Sequence, residues 1–67
     1  MIALRVNGEE RTAKVDCTVA DLLHELGRDP KKLAVEVNGE VVPRAEQAST
    51  VLKPGDVVEI VTLVGGG

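Results

Sequence analysis

The two Asn-Gly pairs, Asn7-Gly8 and Asn38-Gly39, constrain this 67-residue chain most, because each follows an alternating apolar segment and so marks a tight β-hairpin. Ile2, Leu4 and Val6 alternate with Ala3 and Arg5 before the first; Leu33, Val35 and Val37 alternate with Ala34 and Glu36 before the second. A period of two is that of a strand with one face buried. Strands are therefore expected over residues 2–6 and 33–37. The returning segments differ. Residues 10–15 carry Arg11, Thr12 and Lys14, as suits an edge strand that must not pair with other chains. Residues 40–42 make a short strand that Pro43 halts.

Between the hairpins the period changes. Val19, Leu22, Leu23 and Leu26 are spaced i, i+3, i+4 and i+7, one apolar stripe on a helix. Thr18 stands before them as the natural N-cap, Asp21 falls in the first turn near free backbone N–H groups, and Gly27 can take the left-handed conformation that ends a helix. A helix over residues 19–26 is expected. Asp29-Pro30 marks a loop, residues 44–52 lack sustained periodicity and suggest an irregular connection with one helical turn, and Pro54-Gly55-Asp56 is a turn. Residues 57–63 then form the last strand. This order predicts an α+β chain of the β-grasp, ubiquitin-like architecture: a mixed sheet of four to five strands with one main helix. If the last strand lies parallel to the first at the sheet centre, both termini are placed by the best-paired part of the fold. Residues 1–64 would be the domain and 65–67 a flexible glycine tail. With Glu59 facing out, Val58, Ile60 and Thr62 face the helix, while Val57, Val61 and Leu63 lie on the helix-free side.

Composition narrows the function classes. With 43% hydrophobic residues but no Phe, Tyr or Trp, the core is built of Val, Leu, Ile and Ala. A domain this small buries only about 60% of the surface its unfolded chain exposes. Little depth remains for an enclosed substrate pocket, which argues against an independent enzyme. A net charge of −3 disfavours nucleic acid and anionic membranes. One His and one Cys cannot supply the three or four ligands of a metal site. His24, off the stripe, reads as a solvated surface residue. Cys17 precedes the helix, where the dipole could lower a thiol pKa, but with no base or second cysteine it reads as a small structural residue. A lone cysteine also suits a reducing compartment, so the cytoplasm is expected. The opening Met1-Ile2-Ala3-Leu4-Arg5 meets charge too soon for a signal peptide, and no apolar run approaches the ~20 residues of a membrane span.

Gly65, Gly66 and Gly67 have no packing use. Fraying or an appended remnant would account for them, but so would chemistry. Three residues without side chains make a thread about 10 Å long that can enter a narrow active site. The Gly67 carboxylate then becomes a portable substrate. An α-carboxylate with a pKa near ~3.5 is ionised and unreactive, so conversion to an acyl-adenylate must precede attack by sulfur or an amine. A separate ATP-using enzyme is required.

Four segments together carry a family likeness: Val6-Asn7-Gly8-Glu9, Thr18-Val19-Ala20-Asp21-Leu22-Leu23, Ala34 through the Asn38-Gly39-Glu40-Val41-Val42-Pro43-Arg44 block, and Asp56-Val57-Val58-Glu59-Ile60-Val61-Thr62 before the glycines. Over essentially its whole length the chain resembles the ThiS family of thiamine-pathway sulfur carriers. The resemblance implies a carrier protein rather than an enzyme, with no cofactor bound. Gly67 would be adenylated by an E1-like adenylyltransferase of the ThiF type, which uses the ATP, and converted to a thiocarboxylate with sulfur from a donor such as a cysteine desulfurase. A thiazole synthase of the ThiG type would receive that sulfur. Gly65 and Gly66 would thread, and Val61, Leu63 and Val64 would dock the partners. Many relatives carry an aromatic residue shortly before the glycines, where this chain has Leu63-Val64. The small subunit of molybdopterin synthase and a ubiquitin-like modifier are alternatives with the same fold, the former usually longer and richer in aromatics.

Overall fold

The structure, a computed structural model, describes residues 1–63. Strands β1 (Ile2–Val6), β2 (Glu9–Ala13), β3 (Leu33–Val37), β4 (Glu40–Val41) and β5 (Val57–Thr62) form one sheet in the order β2-β1-β5-β3-β4, and one helix, α1 (Val19–Glu25), covers one face. Two antiparallel hairpins, β1–β2 and β3–β4, flank β5, which runs parallel to β1 and antiparallel to β3. Both hairpins turn on their Asn-Gly pair, with φ of 49° and 82° at Asn7 and Gly8 and 53° and 83° at Asn38 and Gly39. Positive φ at both positions matches the right-handed twist of the flanking strands, and Asn and Gly tolerate it best.

The alternation becomes the core. Ile2, Leu4 and Val6 of β1, Leu33 and Val35 of β3, and Val58 and Ile60 of β5 pack with Val19, Leu22 and Leu23 of α1. β2 lies at an edge, as its polar character predicts. It spans residues 9–13 rather than 10–15, because the two-residue turn pairs Glu9 with Val6 and Asp16, at a φ of 69°, redirects the chain after Ala13.

Thr18 caps α1 in a reciprocal box: its hydroxyl accepts from Asp21 N–H at 3.1 Å, and the Asp21 carboxylate accepts from Thr18 N–H at 3.0 Å. These bonds hold the Asp21 carboxyl below the usual carboxylate range, the backbone bond contributing most. The irregular connection supplies the other helix-end partners. Val19 N–H donates to Thr50 O and Ala20 N–H to Gln47 O, both at 3.0 Å, and Val51 bridges Thr18. Three N–H groups that a helix leaves unpaired are thereby satisfied. Gln47 is buried, its side-chain amide donating to Val42 O at 3.4 Å.

Two expectations need correction. The helix ends at Glu25 with Leu26 as its C-cap, and Leu26 is only half-buried at the rim of the core. Thr62, expected to face the helix, is exposed. The cause is length: seven helical residues cover about 10 Å, while six strand residues extend about 20 Å. The end of β5 outruns its cover, and the Arg28 guanidinium reaches it, donating to Thr62 Oγ1 at 3.0 Å.

Candidate functional site: the root of the glycine tail

β5 is paired on both sides and leads directly into the glycines. β1 meets it only at Arg5 and Val6, opposite Val57 and Val58, whereas β3 accompanies it from Val58 to Thr62. One further backbone bond, Leu63 N–H to Lys32 O at 2.8 Å, continues this edge. On the β1 side the chain has already turned away, and the Asn7 side chain takes over. Its Oδ1 accepts from Ile60 N–H at 2.7 Å and its Nδ2 donates to Ile60 O at 3.2 Å, so an amide stands in for a strand residue. Asn38 acts likewise at the other end of β5, its Oδ1 accepting from Val57 N–H at 3.0 Å and its Nδ2 donating to Asp56 at 2.9 Å. Sequence reasoning reads both asparagines as turn residues only. Nothing local signals that the Asn7 amide reaches a strand 53 residues away.

Replacing Asn7 with Gly keeps the positive φ but removes both bonds. It is expected to cost about 1–3 kcal/mol, the penalty for leaving partly buried polar groups unpaired. Urea titration measures the loss, and hydrogen exchange at the Ile60 amide should accelerate more than at Val35. Equal acceleration at both would mean that Asn7 is no local clamp.

Apolar residues surround the root on the helix-free side. Val61 is 52% and Leu63 53% exposed, and Val57 is exposed on the same strand. The register places Ala34 opposite Val61 and Glu36 opposite Glu59, so these share that face. Val64, Gly65, Gly66 and Gly67, the remaining residues expected to dock, thread and react, lie outside the described residues.

Elsewhere the chemistry is sparse. Cys17 is buried and its thiol donates weakly to Thr18 O at 3.4 Å. Burial foremost, then the charges of Asp21 and Glu25, push the thiol pKa up, opposite to the lowering a helix N-terminus could cause. His24 is exposed. Among the described residues no group of three or more His, Cys, Asp or Glu could hold a metal ion. Among the described residues, a depression of about 600 Å³ opens to solvent between β2 and α1 and includes no residue of β5. No helix among the described residues is long and apolar enough to cross a membrane.

A five-stranded mixed sheet gripping one helix, with the last strand at its centre, defines the β-grasp, ubiquitin-like class. The model of the ThiS family matches residues 4–67, and the chain belongs to that family. A crystal structure of a thiamine biosynthesis protein (ThiS) from Geobacter metallireducens superposes with a TM-score of 0.84 at 36% identity, covering 98% of this chain and 100% of the other. The sulfur carrier protein ThiS of Thermus thermophilus is 39% identical over 62 residues, 92% of this chain and 95% of that protein. A thiazole synthase of Paramagnetospirillum magneticum is 48% identical over 64 residues, which are 96% of this chain but 20% of the synthase. The chain thus spans one fifth of that relative's length.

Proposed function

We propose that this chain carries sulfur for the thiazole ring of thiamine, and that the Gly67 carboxylate is its working group. The observation that carries the reading is that β5, the central strand and paired on both sides, is the element immediately before the glycines in the chain, with exposed Val61 and Leu63 at its C-terminal end. The activation runs in two steps on partner enzymes. A carboxylate oxygen of Gly67 attacks the α-phosphorus of ATP on a ThiF-type adenylyltransferase, releasing pyrophosphate and leaving an acyl-adenylate. The persulfide sulfur of a donor such as a cysteine desulfurase then attacks the Gly67 carbonyl carbon and AMP leaves with the C–O bonding pair; a thiol reductant supplies the two electrons that cleave the S–S bond of the resulting acyl disulfide, releasing the thiocarboxylate. The chain itself binds no cofactor and acts as co-substrate in the cytoplasm, with Gly65 and Gly66 threading the active site and Val61, Leu63 and Val64 docking.

A thiazole synthase of the ThiG type is the acceptor. In the bacterial synthase described above, and in that of Magnetococcus marinus, a segment similar to almost all of this chain shares a polypeptide with the rest of the synthase. Joining two units on one chain replaces an encounter by a high effective concentration, an arrangement that favours units working on a common intermediate.

The test is mass spectrometry of the chain after incubation with ATP, the adenylyltransferase, the sulfur donor and a thiol reductant. Replacement of one oxygen by sulfur, localised to Gly67, is the expected result. A ladder of lysine conjugates would instead identify a modifier, and an unchanged mass would remove the assignment.

A further inference from the structure

We propose that Arg28, Lys31 and Lys32 form a cationic collar at the tail root that receives an acidic protein surface surrounding the entrance to the enzyme site that takes Gly67. The inference rests on the carrier reading above and adds to it the chemistry of the docking partner. Eight Lys and Arg stand against eleven Asp and Glu in the whole chain, yet three of the eight fall within residues 28–32. All three are exposed. The one ion pair among the described residues, Arg5 with Glu10, lies elsewhere. Asp29, the acid between them in sequence, is engaged locally, its carboxylate accepting from Lys31 N–H at 2.9 Å.

The fold puts this segment where the chain leaves the sheet. Lys32 O accepts from Leu63 N–H, Leu33 pairs with Thr62, and Arg28 bonds to Thr62 Oγ1. The four residues from Val64 to Gly67, at ~3.3–3.6 Å each, span at most about 14 Å. An enzyme that acts on Gly67 must therefore bring its own surface within about 14 Å of the collar, a range that charges span at low ionic strength, where the Debye length reaches about 30 Å at 0.01 M. A nucleotide joined to Gly67 would sit at the far end of that thread, whereas the protein rim around the entrance sits at the near end. The collar therefore matches carboxylates of the rim rather than phosphates. Exposed Val61 and Leu63 beside charged side chains also give the usual anatomy of an interface, an apolar centre with a polar border.

The experiment compares the full chain with K31E/K32E and K31R/K32R. Binding to a purified ThiF-type adenylyltransferase and a ThiG-type thiazole synthase from the same genome is titrated across a range of salt, alongside thermal unfolding. Charge reversal should weaken binding to at least one enzyme by roughly 10–100-fold at low salt and flatten the salt dependence, with K31R/K32R binding as the unaltered chain and all three unfolding together. Unchanged or tighter binding of K31E/K32E to both enzymes overturns the collar while leaving the carrier reading intact. So does a result in which K31E/K32E raises only the KM for ATP, which would assign the collar to the nucleotide. If the unaltered chain binds neither enzyme, the collar falls together with the function it rests on.

Discussion

Deleting Gly66 and Gly67 is expected to abolish ATP-dependent activation of the chain while leaving its unfolding transition in place. Among the described residues, 1–63, lie the core cluster, both asparagine clamps and the hydrogen-bond ladder of β5, and the deleted glycines have no side chain to bury, so stability should change by no more than about 0.5 kcal/mol, as for substitutions away from such features. Activation should fall much further. The deletion moves the carboxylate about 7 Å back along the thread, and a misplacement of even 1 Å can cost on the order of 100-fold in rate. Pyrophosphate exchange with the adenylyltransferase reads the first effect and urea titration the second. A truncated chain that exchanged pyrophosphate at the full rate would show that Gly67 is not the reacting residue. Gly66→Val should give a similar kinetic loss by a different route, since a branched side chain widens the thread without shortening it.

The second large effect is on folding. Leu22→Ala should cost about 2–5 kcal/mol, because Leu22 is 1% exposed between the helix and the sheet and its loss leaves a cavity as well as removing apolar contact. For a domain whose total stability stands near the low end of about 5–15 kcal/mol, that is a large share. Leu26→Ala should cost less, about 1–2 kcal/mol, because the half-buried C-cap position removes less area from water. Chemical denaturation of the two variants gives both numbers. Equal losses would mean that Leu26 is as deeply packed as Leu22, and a loss below about 1 kcal/mol at Leu22 would place the wrong face of α1 on the sheet.

Local chemistry makes much of this fold legible in the order of residues. Period two in β1 and β3, the Asn-Gly turns, the Thr18 cap and the stripe of Val19, Leu22 and Leu23 each depend on neighbours a few residues away, and each appears where the sequence places it. The polar character of β2 likewise foretells an edge. The apolar face leading to the tail follows from one residue, Glu59, whose outward phase places Val61 on the helix-free side.

What the sequence alone does not decide depends on residues distant along the chain. The stretch after Pro43 has no period because its task is tertiary: Gln47 and Thr50 offer carbonyls to the start of α1, and Val51 bridges Thr18. The exposure of Thr62 comes from the mismatch between a seven-residue helix and a six-residue strand, and the partial burial of Leu26 from its C-cap place at the rim of the core; both appear only when helix and sheet are laid together. The Asn7 clamp and the gathering of Arg28, Lys31 and Lys32 at the root of the tail arise the same way. Side-chain hydrogen bonds and surface charge act through space, so the partner of Ile60 and the neighbours of Thr62 and Leu63 are determined by the folding of the sheet rather than by the order of residues.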